Sequence, residues 1–267
     1  MADSLRLMCI MAHPDDESLG TGGTLAKYAA EGVETYLVTA TRGQRGWKGA
    51  VDDYPGPAAL AEVRSKELDA AAEVLGIRQL WLLDHMDGAL VQVDAEGITT
   101  RIAQLIRHVR PQVVVTFGPD GVYGHPDHIA ISQFATAAVV RAAARDDATG
   151  DSPHAVAKLY YLVATRDILE AYQAAFGVFA KVVDGQAREA VAWADWMVSA
   201  RIDARAFDSV VWKAISCHHS QLRDYQKLQD LPAEQRLSIF GEGTYYRAFS
   251  LVNGGRQVED DLFAGVR

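Results

Sequence analysis

The chain has 267 residues, of which 49% are hydrophobic and 23% charged, and its formal net charge at pH 7 is −9. This length can bury a sizeable core, and the composition is ordinary for a globular protein. The excess of acidic residues disfavours nucleic acid and anionic membrane surfaces as the main partner.

Two cysteines, Cys9 and Cys217, are too few for a disulfide framework, and we expect both to be reduced core residues. The first residues resemble a signal peptide only superficially. Their apolar stretch is short, contains Arg6 and runs into acidic residues without a small-residue cleavage site. No apolar run approaches the length of a membrane span. We therefore expect a soluble, cytoplasmic protein. The sequence does not specify its oligomeric state, and a homo-oligomer is one possibility.

Apolar segments alternate with amphipathic ones over the first 165 residues. The predicted strands are residues 5–12, 34–41, 79–84, 112–118 and 157–164, and the predicted helices are residues 22–32, 60–76, 98–109 and 128–146. Continuous apolar strands separated by helices are typical of a parallel sheet with helices on both faces. We predict an α/β, Rossmann-like fold in which residues 1–165 form the core. A less regular C-terminal portion, residues 166–267, is expected to complete the same single domain.

Three loops follow the predicted strands at their carboxyl ends, where ligands bind in open α/β sheets. MAHPDDES (11–18) follows the first strand, a Gly/Pro-rich loop (42–59) follows the second, and GPDGVYGHPDH (118–128) follows the fourth. We expect these loops to converge on one edge of the sheet.

Two of these loops contain His-Pro-Asp and a dense set of metal-ligating side chains. The first cluster comprises His13, Asp15, Asp16 and Glu17, and the second comprises His125, Asp127 and His128. So many carboxylates after a buried strand call for a counter-charge, and a catalytic zinc site needs about three N/O ligands and one open position. The clusters therefore predict a metal site, for which the spacing offers His13, Asp16, His125 and His128; polar loops with helix caps are the alternative.

The sequences AHPDDE and GHPDH resemble the PIG-L/LmbE family of zinc-dependent N-deacetylases. KAISCHHSQ (213–221) is similar to the third motif of that family, and RIDAR (201–205) matches the step that precedes it. The likeness runs through residues 5–128, resumes near 201–221 and leaves 165–200 uncovered. Within the family, the chain most resembles bacterial enzymes that deacetylate N-acetylglucosamine conjugates in mycothiol and bacillithiol synthesis.

The resemblance implies roles at the centre of the site. It implies His13, Asp16 and His128 as the metal ligands and Asp15 as the general base. Zn²⁺ is the expected ion, although Fe²⁺ or another divalent ion also suits a His₂Asp site.

Further roles concern residues around this centre. If His125 is not a ligand, we expect it to stabilise the tetrahedral intermediate as a cation, with Tyr123 donating a hydrogen bond to the same oxyanion. Arg64 and Asp87 correspond to family residues near the substrate, and His218 is expected to support the site from behind the ligands. The alternatives are a helix cap for His125, a packed aromatic for Tyr123, a surface arginine for Arg64 and a turn residue for Asp87.

Three positions are left open by the sequence. His219 stands where relatives often have arginine, and Gln44 replaces a glutamate common in the family. Trp47 could stack on a sugar or simply pack within its loop.

These observations predict a metal-dependent hydrolase that removes an N-acetyl group from a small N-acetylglucosamine-type conjugate, whose aglycone the sequence does not specify. The alternative is an amidase acting on another amide, such as a thiol conjugate. A dinucleotide-dependent oxidoreductase is disfavoured, because the glycine pattern GTGG (20–23) has Leu25 in place of its third glycine and the second strand ends in Thr41 and Arg42, not in an acid. A metal-binding protein without catalysis is disfavoured because the expected base, Asp15, is present.

Overall fold

The computed structural model describes residues 4–145, 151–177, 180–183, 185–222, 227–228 and 230–267. The strands are β1 (Arg6–Met11), β2 (Glu34–Thr41), β3 (Gln79–His85), β4 (Val113–Phe117), β5 (Lys158–Leu162), β6 (Ala180–Val183), β7 (Gln186–Glu189), β8 (Ala200–Asp203) and β9 (Glu242–Ser250). Seven of them form a sheet in the order β3-β2-β1-β4-β5-β9-β8, and β6 pairs with β7 in a separate hairpin.

The helices are α1 (Asp16–Gly20), α2 (Gly22–Ala30), α3 (Pro57–Leu75), α4 (Ala95–Val109), α5 (Gly121–Gly124), α6 (Pro126–Ala143), α7 (Arg166–Phe176), α8 (Asp208–Cys217) and α9 (Ala233–Phe240). Helices α2, α3 and α8 pack against one another, and α4 packs against α6. Because crossovers between parallel strands are right-handed, the change of direction at β1 puts these two groups on opposite faces. The α/β architecture predicted from the sequence is confirmed.

The predicted parallel sheet is confirmed from β3 to β5, and the C-terminal portion, whose topology the sequence left open, adds antiparallel strands at one edge. Strand β9 pairs antiparallel with β5, and β8 pairs antiparallel with β9. Both strands come from the C-terminal portion, where the alternation of strands and helices is lost. Residue 146, the predicted end of the fourth helix, lies outside the described residues, and the helix itself ends at Ala143.

The burial of each strand follows its position in the sheet. Leu7 to Met11 of the central strand β1 are fully buried, whereas Gln79 and Asp84 of the edge strand β3 are exposed. Cys9 is buried in β1, while Cys217, which was also expected in the core, is half-buried at the end of α8. Among the described residues, no helix has both the length and the hydropathy that a membrane crossing requires.

The described residues of the segment 165–200, for which the sequence indicated no role, contact the loop that follows β4. Arg188 of β7 donates a hydrogen bond from Nη1 to the carbonyl of Gly124 at 2.6 Å. Trp193 donates from Nε1 to a carboxylate oxygen of Asp120 at 3.2 Å. This segment therefore lies at the carboxyl edge of the sheet, beside the second His-Pro-Asp cluster.

Candidate metal centre and active-site cavity

The chain leaves β1 through a strained turn. Asp15 has a φ of 111°, in a region that residues other than glycine rarely adopt. Its backbone N–H donates to the buried carboxylate of Glu17 at 3.0 Å, which holds the turn closed. The side chains of the two neighbouring aspartates consequently diverge, Asp16 towards His13 at 3.5 Å and Asp15 towards Arg64 at 3.3 Å.

His13, Asp16 and His128 form a compact group of potential metal ligands. The Nδ1 atom of His13 lies 3.3 Å from Nε2 of His128. The carboxylate oxygens of Asp16 lie 3.5 Å from the first nitrogen and 3.4 Å from the second. A tetrahedral ion with bonds of about 2.0–2.2 Å holds its ligand atoms roughly 3.3–3.6 Å apart. The spacing of the two nitrogens and the Asp16 carboxylate fits that of ligands around a divalent ion bound between them.

The surroundings of His13 determine which of its nitrogens is available. Its Nε2 atom lies 3.1 Å from Asp127 Oδ2 and 3.2 Å from Asp87 Oδ1. Nε2 therefore carries a proton and donates a hydrogen bond to these carboxylates. In the neutral ring that a metal ligand requires, Nδ1 then has a lone pair directed at His128 and Asp16. A carboxylate behind a ligating histidine is the usual arrangement in metal sites.

His128 presents Nε2 to the same point. Its ring stacks on Phe117 with the centroids 4.0 Å apart, which fixes its plane. Its Nδ1 atom is buried without a hydrogen-bond partner, so no hydrogen bond at Nδ1 holds the ring in another orientation.

The charges around the group suit a cation. Burial works against a charged His13, but the carboxylates of Asp127, Asp16 and Asp87 raise its pKa well above the usual value. Burial also opposes ionisation of Asp16, yet the imidazoles of His128 and His13 lower the pKa of that carboxyl well below its usual range. Metal ligands must be deprotonated, and a divalent ion would supply the positive charge that these carboxylates favour.

A second group, His13, His125 and Asp127, also has its ligand atoms within 4.8 Å of one another. Its members are already engaged elsewhere. Asp127 accepts backbone hydrogen bonds from Gly88 at 2.6 Å and Leu90 at 3.0 Å, and Nδ1 of His125 accepts the backbone N–H of Asp127 at 3.1 Å. The first group is therefore the better candidate, a choice that sequence spacing left open.

His125 both caps α6 and lines the cavity. Because Nδ1 accepts a hydrogen bond, the ring proton lies on Nε2 and the imidazole is neutral. Burial lowers the pKa of His125, and the neighbouring rings of His13 and His128 lower it further, to about 4. This geometry disagrees with the expected cation and favours a neutral ring whose Nε2–H is the donor.

Tyr123 lies beside both histidines of the second cluster, with its ring centroid 5.7 Å from that of His125 and 5.6 Å from that of His128. It follows Val122, whose φ of 69° and ψ of −59° make a tight, strained turn. Burial raises the pKa of the Tyr123 phenol, so the group keeps its proton at neutral pH. The strained turn places a hydroxyl donor in the cavity wall.

Arg64 is 3% exposed and belongs to the floor of the site. Its guanidinium donates to the carbonyl of Gly43 at 3.0 Å and to the carbonyl of Pro14, and it forms the ion pair with Asp15. The burial of Arg64 excludes the alternative of a surface arginine, and its contacts make it a clamp that joins two loops beside Asp15.

Asp87 is also engaged at the centre of the site. One oxygen contacts His13, and the other accepts the backbone N–H of Arg45 at 3.0 Å. Although burial opposes ionisation, the neighbouring His13 leads a set of groups that lower the pKa of Asp87 to about 2. Gln44 accepts the backbone N–H of Asp87 at 3.1 Å and donates to the carbonyl of His85 at 3.3 Å. The second bond requires an amide donor, which the glutamate common in the family would lack.

His218 lies behind the first cluster and is fully buried. Its Nε2 atom is 2.8 Å from Glu17 Oε1. Burial disfavours both charges, but their mutual attraction lowers the pKa of Glu17 and raises that of His218. The pair therefore supports the carboxylate that holds the Asp15 turn, a role for Glu17 that sequence reasoning missed.

The remaining positions lie at the margin. Trp47 donates from Nε1 to the carbonyl of Ala50 at 2.8 Å and packs near Tyr54 within its own loop. His219 is exposed at the end of α8.

Eight of the nine predicted site residues line one cavity of about 550 Å³, and His218 is the ninth. The eight are His13, Asp15, Asp16, Arg64, Asp87, Tyr123, His125 and His128. The loops after β1, β2 and β4 thus converge on one edge of the sheet, as the winding predicted.

Fold and site together define an α/β protein with a His/Asp/His group that can hold a divalent ion, set beside a carboxylate in a cavity at the carboxyl edge of the sheet. Residues 8–139 match the model of the PIG-L family, described as GlcNAc-PI de-N-acetylase. The chain belongs to this family.

Two relatives illustrate the range of activities near this chain. It is 36% identical over 243 residues to a 1D-myo-inositol 2-acetamido-2-deoxy-alpha-D-glucopyranoside deacetylase of Rhodococcus jostii, with 81% of this chain and 82% of that protein covered. It is 32% identical over 297 residues to a Mycothiol S-conjugate amidase of Streptomyces coelicolor, with 100% of this chain and 99% of that protein covered.

Solved structures support the fold. An N,N'-diacetylchitobiose deacetylase from Pyrococcus horikoshii has a TM-score of 0.65 at 19% identity, covering 92% of this chain and 84% of that one. GalB, a 4-carboxy-2-hydroxymuconate hydratase from Pseudomonas putida, has a TM-score of 0.67 at 17% identity, covering 94% and 99%. Because one is a deacetylase and the other a hydratase, the reaction must be argued from the site.

Proposed function

We propose that this protein is a metal-dependent hydrolase that removes the N-acetyl group from a small N-acetylglucosamine-type conjugate, giving acetate and a free amine. The observation that carries the proposal is the group formed by His13 Nδ1, His128 Nε2 and the Asp16 carboxylate. The two nitrogens are 3.3 Å apart, and each lies 3.4–3.5 Å from one oxygen of Asp16, beside Asp15 in a cavity large enough for a small molecule.

His13, Asp16 and His128 would hold the ion, and Zn²⁺ or Fe²⁺ suits this donor set. When bound, such an ion polarises a carbonyl oxygen and acidifies water. Asp87 and Asp127 hold His13 with Nδ1 towards the ion.

Asp15 is the proposed general base. It lies beside the ligand group without belonging to it, and the ion pair with Arg64 keeps it close to the cavity. Its carboxylate takes a proton from the attacking water and later delivers one to the leaving amine nitrogen. Glu17, His218 and Arg64 act as positioning residues, because they hold the turn that carries Asp15.

His125 and Tyr123 are the proposed donors to the tetrahedral oxyanion. Both residues line the cavity from the loop after β4, and the Nε2–H of a neutral His125 and the hydroxyl of Tyr123 are the donors that they offer. Donors fixed in place before the reaction stabilise developing charge without reorganising.

A second candidate function is an amidase that cleaves another amide, such as that of a thiol conjugate. The full-length similarity to a Mycothiol S-conjugate amidase favours keeping it. The same residues would serve, because deacetylation and amide cleavage are both hydrolyses of a C–N bond.

The test measures released amine and acetate from N-acetylglucosamine conjugates and from amides of cysteine conjugates, with the purified protein before and after chelation. We expect acetate and amine in equal amounts and loss of both after chelation. Cleavage of the cysteine-conjugate amides alone would favour the amidase, and no cleavage of either class would contradict both.

Other expectations stay predictions. The cytoplasmic location is one of them, whereas the oligomeric state and the roles of His219 and Trp47 were left open by the sequence. The single domain is also a proposal, which the entry of β8 and β9 into the main sheet supports.

A further inference from the structure

The cavity has two chemically different halves, and the metal-ligand group lies between them. In the sheet order, β2 and β3 lie on one side of β1, and β4, β5 and β9 lie on the other. The loops after β2 and β3 contribute to one half of the cavity. The ends of β5 and β9, with α7 and α9, contribute to the other half.

The half next to β2 and β3 is polar. Apart from two glycines, the described residues that line it are Arg45, Lys48, Arg64, Asp87 and Gln221. Such side chains suit a substrate portion that is rich in hydroxyl groups, because each hydroxyl needs a hydrogen-bond partner when it leaves water.

The half next to β5 and β9 is apolar. Its wall includes Leu162, Ile168, Leu169, Tyr172, Ile239 and Phe240. Among the described residues of this half, Glu242 is the one charged side chain, and its carboxylate accepts a hydrogen bond from Arg201 at 2.6 Å. Binding of an apolar group against a cavity wall of this kind is favourable by about 0.8 kcal/mol for each CH₂ that is buried.

The two sides of an amide match these two halves. With the carbonyl at the ligand group, the amine portion and the acyl portion extend in opposite directions. A hydroxyl-rich amine portion finds its partners in the polar half, which directs the acyl portion towards α7 and α9. An acetyl group has one methyl and would leave most of that wall uncovered.

We propose that the apolar half is an acyl subsite, and that the amide cleaved best carries an apolar acyl group of several carbons in place of acetyl. This inference rests on the proposed hydrolase function and extends its substrate class. Water adds to the acyl carbon, the C–N bond breaks, the acyl group leaves as a carboxylate, and both protons of the water pass to the amine nitrogen, which leaves as an ammonium group.

The test uses methyl 2-acylamino-2-deoxyglucosides with acetyl, butanoyl, hexanoyl and octanoyl groups, and a succinyl compound as the charged control. Release of the amine gives kcat/KM for each. We expect an increase of about fourfold per methylene until the subsite is filled, with the succinyl compound well below butanoyl. A flat series, or a series in which acetyl is best, would overturn the acyl subsite.

A second series places the alkyl chain on the other side of the amide, as alkyl glycosides of N-acetylglucosamine. A dependence on chain length in this series and not in the first would show that the apolar half takes the aglycone, which contradicts the proposal. If no compound of either series releases amine, the proposed function itself fails. Cleavage of the acetyl compound in a flat series would overturn only this inference.

Variants of the wall add an independent readout. Ile168→Asn should lower the ratio of octanoyl to acetyl kcat/KM by at least tenfold. Val140→Asn is the matched control, because Val140 is an exposed β-branched residue on α6 outside the cavity, and its ratio should match that of the unaltered protein. An unchanged ratio in Ile168→Asn would contradict the assignment of this wall to the acyl group.

Discussion

Asp15 and Asp16 are adjacent in sequence, yet their side chains meet different partners because of the positive φ at Asp15. Asp16 faces two imidazoles, whereas Asp15 faces a guanidinium. This divergence separates a ligand from a base in the proposed mechanism, and two substitutions test it.

Asp15→Asn should keep the metal and lower kcat by about 10²–10⁴, the usual span for general acid–base catalysis. An amide keeps the shape of the side chain but cannot accept the proton. Metal content and kcat are measured together, with Asp69→Asn on the exposed face of α3 as control. Near-normal turnover would place the base elsewhere. Glu17 is then a poor substitute, because it is fully buried and bonded to His218.

His125→Ala should bind metal normally and lower kcat by about 10²–10³, with little change in KM, since the oxyanion exists only in the transition state. The substitution also removes the cap of α6, so Asp94→Ala, which removes the cap of α4, is the matched control. Because the ring is neutral in this structure, the alkaline limit of activity should not move. Loss of metal would instead make His125 a ligand.

At the scale of elements, short polar ties hold the loops against the helices that surround them. Glu67 of α3 accepts both the backbone N–H and the hydroxyl of Ser220 at 2.7 Å. Gln221 donates to the carbonyl of Gly46 at 2.7 Å. The Ser-Gln of the third motif therefore fastens the end of α8 to α3 and to the loop after β2, which accounts for its place near the site.

The pair Glu17–His218 ties α1 to α8, and breaking it should be costly. His218→Gln should lower the free energy of unfolding by about 3–5 kcal/mol, because an uncompensated carboxylate is left buried. The exposed pair Asp203–Arg205 provides the control, since Asp203→Asn should cost at most about 1 kcal/mol. If His218→Gln lowered the free energy of unfolding no more than Asp203→Asn does, the proposed stabilisation by the Glu17–His218 pair would be contradicted.

The same pair predicts a pH dependence of stability. Since the folded pKa of His218 is raised, its contribution is complete below about pH 6.5 and is lost as pH rises through the folded pKa. Since the folded pKa of Glu17 is lowered, its contribution is present above about pH 4.3 and is lost as pH falls through the folded pKa. Urea unfolding at pH 6 and pH 9 should show that the free energy of unfolding falls less between these two pH values in His218→Gln than in the unaltered protein. An equal loss would show that the pair does not titrate in this range.

For the whole molecule, binding of the ion should add to stability, because the ligands come from the turn after β1, from α1 and from α6, and meet only in the folded chain. Purified protein should contain about one divalent ion per chain, and chelation should lower Tm. A free ion concentration 100 times Kd stabilises by about 2.7 kcal/mol. His128→Ala should lose both the ion and the effect of chelation, whereas Asp15→Asn should keep both. If His128→Ala contained as much ion as the unaltered protein, this result would contradict the assignment of His128 as a ligand.

The sequence by itself determined the elements that carry the site. The apolar runs predicted the strands β1 to β5 within a few residues, because burial on both faces imposes a local pattern. Since parallel strands end at the same edge, the order of strands and helices then placed the His-Pro-Asp clusters together.

Only the tertiary structure decided what depends on distant residues. His13 and Asp127 are 114 positions apart, and Glu17 and His218 are 201 apart, so no local pattern reports their contact. The choice between His125 and His128 likewise rests on ring orientation, which the cap of α6 and the stacking on Phe117 determine. The antiparallel strands β8 and β9 and the apolar wall from α7 and α9 come from segments with weak local periodicity. Their positions follow from packing against the completed sheet, and that packing shapes the half of the cavity in which the acyl group is proposed to bind.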